Sequence, residues 1–339
     1  MPLLRLPTET LRQIFDQLDS SFFHEDIGRL TVCKEWFGFA LPACFKSITL
    51  SQEALRNLII STATKTASPL ESSLETLDLD LRGYQYDTSP PQESDLQPAT
   101  PGFRRNLLET WKKTLNDDLA QFAIIVQQSH RLRTLRVRAW RSTHPFSTPE
   151  GYLSLSTVQA LLSVQNLSVL VLDLSGTSLE QGEERHICPS IAALLPTLRT
   201  LHLWMRSICP EVLKTQDLDS KLRLSTVVVK LSLLPDLPGI TSASHSQQCG
   251  SQGGGWTQLK ADIREQAEAL VTRMASPKTI RILTQTLPRF DTRSLDVLTG
   301  KTMKLDGNAA WDDDGETTQE DSEPEFDILD EQFGGFLDD

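Results

Sequence analysis

The chain has 339 residues, with 45 Asp and Glu against 33 Lys and Arg, for a formal charge of −12. Its length suits about two domains of about 100–200 residues each, and 14 of its acidic residues lie between Leu305 and Asp339 with no basic residue among them. The remaining 31 acidic residues face 33 basic ones, a net of +2, so the body has no basic excess and nucleic acid is excluded as the default partner.

In chain order, the first pattern is Leu6-Pro7-Thr8-Glu9. Proline suits a first helical position, and Glu9 suits the positive end of the helix dipole. Leu11, Ile14, Phe15 and Leu18 follow at the spacing of one helix face. A second helical pattern starts near Asp26, carries Ile27 and Leu30, and leads into Val32-Cys33-Lys34-Glu35-Trp36-Phe37. Pro42 is expected to stop the last helix. Three short helices in about 40 residues make a core below the size that is usually stable alone, so part of this apolar surface needs a partner.

Residues 6–44, LPTETLRQIFDQLD followed by DIGRLTVCKEWFGFA, resemble the F-box motif: Leu-Pro-x-Glu, apolar residues at helical spacing, then Val-Cys-Lys-x-Trp. The sequence departs from that pattern between Leu18 and Ile27, where DSSFFHED replaces the usual short turn. The resemblance implies docking on the Skp-family linker of cullin–RING ubiquitin ligases, the SCF assembly. The implied docking residues are Leu6, Pro7, Leu11, Ile14, Phe15, Leu18, Ile27, Leu30, Val32 and Trp36. Cys33 falls where the family often has a packed cysteine.

From residue 45 a unit recurs: Phe45-x-x-Ile48-x-Leu50, Leu74-x-x-Leu77-x-Leu79, Leu132-x-x-Leu135-x-Val137, Leu167-x-x-Leu170-x-Leu172, Leu198-x-x-Leu201-x-Leu203 and Leu224-x-x-Val227-x-Val229. Starts are 29, 58, 35, 31 and 26 residues apart, the 58 being two units of 29 with the Pro-rich 88–102 stretch inside it, near or a little above the period of about 20–29 of leucine-rich repeats. The units are a little long and lack the usual Asn or Cys. The expected fold is therefore α+β or α/β and solenoid-like: a three-helix N-terminal domain (1–44), an irregular leucine-rich array with a curved parallel sheet (45–305), and a disordered acidic tail (306–339).

Helices are expected over Gln52–Ala63, Leu107–Gln128, Thr157–Val164 and Ser190–Leu195. The residues between the leucines would line an open sheet face. Arg136, Arg138, Trp140, His202 and Trp204 are the candidate substrate-contacting residues there, the two tryptophans because exposed Trp is enriched at binding hot spots. Thr88–Gly102, with four prolines, reads as an exposed loop, and Thr241–Gly255, rich in Ser, Gln and Gly, as a flexible linker. Trp256–Ala275 is an amphipathic helix. A strand at Thr279–Leu283 and a hairpin turning at Thr299-Gly300-Lys301 follow. These closing strands are similar to those of many fungal F-box proteins.

The search for chemistry excludes more than it finds. Gly300-Lys301-Thr302 lacks the glycine a phosphate loop needs five residues earlier, where Leu295 stands. There is no Gly-x-Ser-x-Gly elbow. His186-x-Cys188, Cys209 and His245-x-x-x-Cys249 do not form two closely spaced ligand pairs, so no zinc or other metal is expected. Asp117 and Asp118 read as a helix's polar face. No cofactor and no catalysis are expected. No run approaches the ~18 apolar residues of a membrane span, and the N-terminus lacks the layout of a secretory signal. The five scattered cysteines (Cys33, Cys44, Cys188, Cys209 and Cys249) read as reduced thiols of a cytoplasmic or nuclear protein.

The function implied by the resemblance is recruitment: a substrate-recognition adaptor that binds the Skp linker through residues 6–44 and an unknown protein substrate through the array. A Skp-binding scaffold that acts without ubiquitylation and a plain leucine-rich interaction module are the alternatives. In the tail, Phe326, Ile328, Leu329, Phe333, Phe336 and Leu337 stand among the acids. They fit either a solvated disordered segment or one that folds onto a basic, grooved partner.

Overall fold

A computed structural model describes residues 6–62, 68–85, 101–141, 151–180, 186–215, 221–233, 244–250, 255–286, 291–305 and 316–317. The acidic tail beyond residue 305, apart from 316–317, and most of the Pro-rich 88–102 stretch lie outside these residues. No helix among the described residues is long and apolar enough to cross a membrane.

The N-terminal unit is built from α1 (Thr8–Gln17), α2 (Ser20–Glu25), a 3₁₀ turn (Ile27–Leu30) and α3 (Lys34–Cys44). The residues that separate this sequence from the F-box pattern form α2. Asp19 caps it by accepting from the Ser21 amide, and Asp26 caps the next turn by accepting from Gly28 at 2.8 Å. The core holds Phe15, Phe23, Leu30, Ala40, Ala43 and Cys44, with Leu18, Trp36 and Phe39 packed around it. Phe15 is its hub, edge-on to Trp36 at 4.7 Å and stacked on Phe39 at 5.9 Å. Pro42 was expected to stop α3 but lies inside it, and the helix ends two residues later, at Cys44. Proline's fixed φ is helical, and its missing N–H leaves only the Gly38 carbonyl without its helical bond, at an exposed residue that water can reach.

The remaining elements are β1 (Ser47–Ser51), α4 (Gln52–Thr62), α5 (Ser68–Ser73), β2 (Thr76–Arg82), α6 (Pro101–Gln128) and β3 (Thr134–Trp140). They continue with β4 (Leu153–Ser154), α7 (Leu155–Leu162), β5 (Val169–Leu174), β6 (Leu179–Glu180), α8 (Cys188–Ala192), β7 (Thr200–Met205) and β8 (Ser207–Ile208). After a 3₁₀ turn (Pro210–Leu213) come β9 (Thr226–Lys230), β10 (Ser232–Leu233), β11 (Ser244–His245), β12 (Gln247–Gln248) and α9 (Trp256–Val271). The described elements close with β13 (Thr279–Thr286), β14 (Asp291–Asp296), β15 (Thr302–Leu305) and β16 (Glu316–Thr317).

One open ten-stranded sheet runs β1-β2-β3-β5-β7-β9-β13-β14-β15-β16. It is parallel from β1 to β13 and antiparallel beyond. The fold is therefore mixed α/β with a large, mostly parallel sheet. The repeated unit sets its register: Ile48, Leu77, Leu135, Leu170, Leu201, Val227 and Ile280 are successive cross-strand partners. The next inward row is Leu50, Leu79, Val137, Leu172, Leu203, Val229 and Ile282. The first leucine of each later unit, Leu74, Leu132, Leu167, Leu198 and Leu224, is fully buried at the entry to its strand.

At each entry two successive N–H groups donate to one carbonyl of the previous unit. Glu75 and Thr76 donate to Lys46, Arg133 and Thr134 to Glu75, Ser168 and Val169 to Arg133, and Arg199 and Thr200 to Ser168. Helices α4, α6, α7, α8 and α9 cover the leucine face and share its core. Period-2 alternation sends the residues between the leucines to the other face. That face closes toward the chain's end, where Val228, Leu283 and Leu305 form a small core of their own.

Candidate functional sites

The ten docking residues inferred from sequence fall into three groups. Leu6, Pro7, Ile27 and Val32 are exposed, Leu6 at 38 % and Ile27 at 69 %. Ile14, Leu18 and Trp36 are half-buried. Leu11, Phe15 and Leu30 are buried inside the protein. These last three face the protein's own interior in the free chain, and α2 brings Phe23, also fully buried, to 6.2 Å from Phe15. Trp36 is held by its indole N–H, which donates to the Arg29 carbonyl at 2.6 Å. Cys33 is half-buried and caps α3, its sulfur accepting from the Trp36 amide at 3.4 Å. Two exposed aromatic residues join the apolar surface, Phe22 under the Arg29 guanidinium and Phe37.

The sheet's outer face carries a groove of about 340 Å³ lined by Thr49, Asp78, Asp80, Arg82, Arg136, Arg138 and Trp140. Cross-strand register assembles it, pairing Asp78 with Arg136 and Asp80 with Arg138. Arg136 approaches Asp78 at 3.3 Å, and the Trp140 indole N–H donates to the Asp80 carboxylate. Trp140 stays 45 % exposed. Three of the five candidate substrate residues therefore share one amphoteric groove with an aromatic wall.

The other two do not belong to it. His202 is half-buried, between Val171 and Val228 in register. Trp204 was expected to be an exposed anchor but is 7 % exposed. Its indole N–H donates to the Ser232 carbonyl at 2.7 Å, and the Lys230 ammonium sits 3.7 Å from its ring centre. Residues at the end of the next strand in the sheet and just beyond it cover Trp204. Asp173, its neighbour in register, is buried, and burial pushes its carboxyl up despite hydrogen bonds from Ser175. Burial likewise pushes the Lys230 ammonium down.

Sequence reading missed a second depression, of about 720 Å³, at the strand-entry end. Arg133, Arg199 and Arg223 line it together with Asn166, Ser168 and Thr197. Its signal was present in the repeated Leu-Arg-Thr of 132–134 and 198–200, where arginine follows the first leucine of the unit.

A third cluster joins a histidine and three cysteines that the sequence spaces too far apart to read as ligand pairs. The ligand atoms of His186, Cys188, Cys209 and Cys249 lie within 4.8 Å of one another. Residues 244–250, expected to lie in a flexible linker, instead pair with the body. Gln247 and Gln248 run parallel to Ser207 and Ile208, and the Cys249 amide donates to the Ile208 carbonyl at 3.3 Å. Register therefore sets Cys249 beside Cys209. Hydrogen bonds from Cys188 and Cys249 hold the Cys209 thiol well below the usual range, and the bond with Cys209 pushes Cys188 up.

Compared with known proteins, the chain matches no family model and no curated protein.

Proposed function

We propose that the chain is the substrate-recognition adaptor of an SCF-type ubiquitin ligase, acting in the cytoplasm or nucleus. In this reading residues 6–44 are an F-box and the sheet region is an irregular, solenoid-like leucine-rich array. The observation that carries it is the division of apolar residues in the N-terminal unit. Phe15, Phe23 and Leu30 fill a core, while Leu6, Pro7, Ile27 and Val32 remain exposed. Apolar residues left exposed around a completed core are available to a partner, and they include the Leu-Pro that opens the F-box-like pattern. In-register stacking of the repeated unit supports the array reading.

The Skp-family linker would then cover Leu6, Pro7, Ile27 and Val32, with Ile14, Leu18 and Trp36 at the margin. The groove between Asp80 and Trp140 would hold a protein segment carrying both signs of charge and an apolar side chain for the indole. The chain performs no bond chemistry in this role. It raises the effective concentration of the substrate near the ubiquitin-charged enzyme.

The test is binding of the full chain to purified Skp-family linker. Burial of a leucine-sized side chain is worth about 1.5–3 kcal/mol, so Leu6→Ala with Pro7→Ala should weaken binding at least about tenfold at unchanged circular dichroism. Undiminished binding overturns the docking assignment. Affinity purification of the chain from cells that brings down the linker without cullin would instead support a scaffold that acts without ubiquitylation.

A further inference from the structure

We propose that His186, Cys188, Cys209 and Cys249 bind one zinc ion in a closed, structural Cys₃His site. The distances fit the ion. A tetrahedron with Zn–S of about 2.3 Å and Zn–N of about 2.0–2.1 Å has S···S edges of about 3.8 Å and S···N edges of about 3.6 Å. The Cys188 and Cys249 sulfurs are 3.8 Å apart, and the Cys209 sulfur is 3.6 Å from His186 Nδ1. Disulfide chemistry does not account for the arrangement. A disulfide needs sulfurs about 2.05 Å apart, all three cysteines are free thiols, and any pairing of two would strand the third.

His186 carries its own positioning group. Its Nε2 lies 3.3 Å from the Glu211 carboxylate, which leaves Nδ1 directed at the cysteines. A carboxylate on the far ring nitrogen is the usual outer partner of a zinc-ligating histidine, because it fixes the tautomer and raises ligand basicity. Glu211 lies in the 3₁₀ turn directly after Cys209, so one short segment supplies both a ligand and the support for another. Three thiolates and an imidazole are soft donors that suit zinc. Four protein ligands leave no open position, which makes the site structural rather than catalytic.

The fold supplies a role for such an ion. The ligands come from three segments far apart in sequence: the approach to α8, the end of β8 and the turn after β12. Residues 244–250 are rich in Ser and Gln and join the body through two two-residue pairings, β10 with β11 and β12 with β8, through Ser246, which donates to the Leu231 and Met205 carbonyls, and through His245 stacked on Trp256. They have little apolar surface to bury. Metal binding would fasten this segment to the body where hydrophobic packing is thin, because binding energy at a site formed only on folding is folding energy.

The experiment uses the full chain, produced under reducing conditions with zinc supplied. Elemental analysis after gel filtration should find about one zinc per chain, and cobalt exchange should give thiolate-to-metal charge transfer with the visible bands of tetrahedral cobalt. Cys209→Ser and Cys249→Ser should each cut retained zinc to below about a tenth. Chelator should lower the melting temperature of wild type and leave Cys249→Ser unmoved. Where a cysteine variant fails to fold, Glu211→Gln keeps all four ligands and should weaken zinc affinity about 10–100-fold. Zinc-free, fully reduced wild type without the cobalt spectrum would overturn the site, as would unchanged stoichiometry in Cys249→Ser or unchanged affinity in Glu211→Gln.

Discussion

The Gly176 amide donates to the Ala139 carbonyl at 3.0 Å, and that contact leaves no room for a side chain. A Cβ on Gly176 would lie 2.3 Å from the Ala139 oxygen, 2.3 Å from the Arg141 nitrogen and 2.4 Å from the Trp140 carbonyl carbon. These are backbone atoms, which cannot rotate aside. The turn after β5 is therefore pressed against the end of β3 at the residue that walls the charged groove. Gly176→Ala should cost about 1–3 kcal/mol, the usual cost of overpacking, and should displace Trp140. Denaturant unfolding measures the first. The second is read from Trp140 fluorescence, isolated by subtracting a Trp140→Phe background. Wild-type stability with an unchanged Trp140 signal would contradict the close approach.

Packed and exposed leucines separate cleanly on α1 and its approach. Leu11 is 4 % exposed, against 38 % for Leu6. Leu11→Ala should destabilise the protein by about 2–5 kcal/mol. Leu6→Ala should stay within about 0.5 kcal/mol, as surface changes usually do. Urea titration of both variants checks this. Equal losses would mean that Leu6 packs internally and that its exposure does not mark a docking surface.

Asp173 gives a pH dependence of defined sign. Burial outweighs its bonds from Ser175 and the attraction of Lys230 and Arg138, so its folded pKa lies above the ordinary value. The folded state then holds the proton more tightly than the unfolded chain does. That contribution is complete below the unfolded value, near 4, and is lost as pH rises through the raised folded value. Asp173→Asn removes the titration and keeps an oxygen that can accept from Ser175. Melting temperatures of both proteins from about pH 4 to about pH 7 should therefore show the variant gaining on wild type as pH rises. A constant difference would refute the buried charge.

What the sequence made legible was whatever rested on local period. The spacing of Leu77 and Leu79, or of Leu170 and Leu172, fixed both the strand and its inward face, and equal spacing in each unit fixed the register between strands. Features made by late-arriving chain were hidden. Trp204 reads as solvent-facing until Ser232 and Lys230 reach it from a later segment. Cys249 sits in a composition that signals a linker. Its place beside Cys209 follows from a two-residue pairing with Ser207 and Ile208 that carries no sequence period. In the charged groove, Arg136, Arg138 and Trp140 were found because alternation along β3 placed them on the outer face.

The eight residues DSSFFHED give the last prediction. As a turn insertion they would tolerate change, yet they form α2 and bury Phe23 completely. Phe23 lies 6.2 Å from Phe15, in a core of six buried residues among those described, and so small a core has little means of closing the cavity. Phe23→Ala should therefore cost about 3–5 kcal/mol and unfold the N-terminal unit. Phe22, its neighbour, is exposed and meets the Arg29 guanidinium at 4.3 Å. Its ring also meets Phe23 edge-on at 5.1 Å, so Phe22→Ala should cost about 1–2 kcal/mol, an exposed cation–π contact plus one aromatic pair. Amide hydrogen exchange over residues 6–44 resolves the two, with protection lost in the first variant and kept in the second. Equal protection in both would return DSSFFHED to the status of an exposed loop and restore Phe15 as a residue a partner could reach.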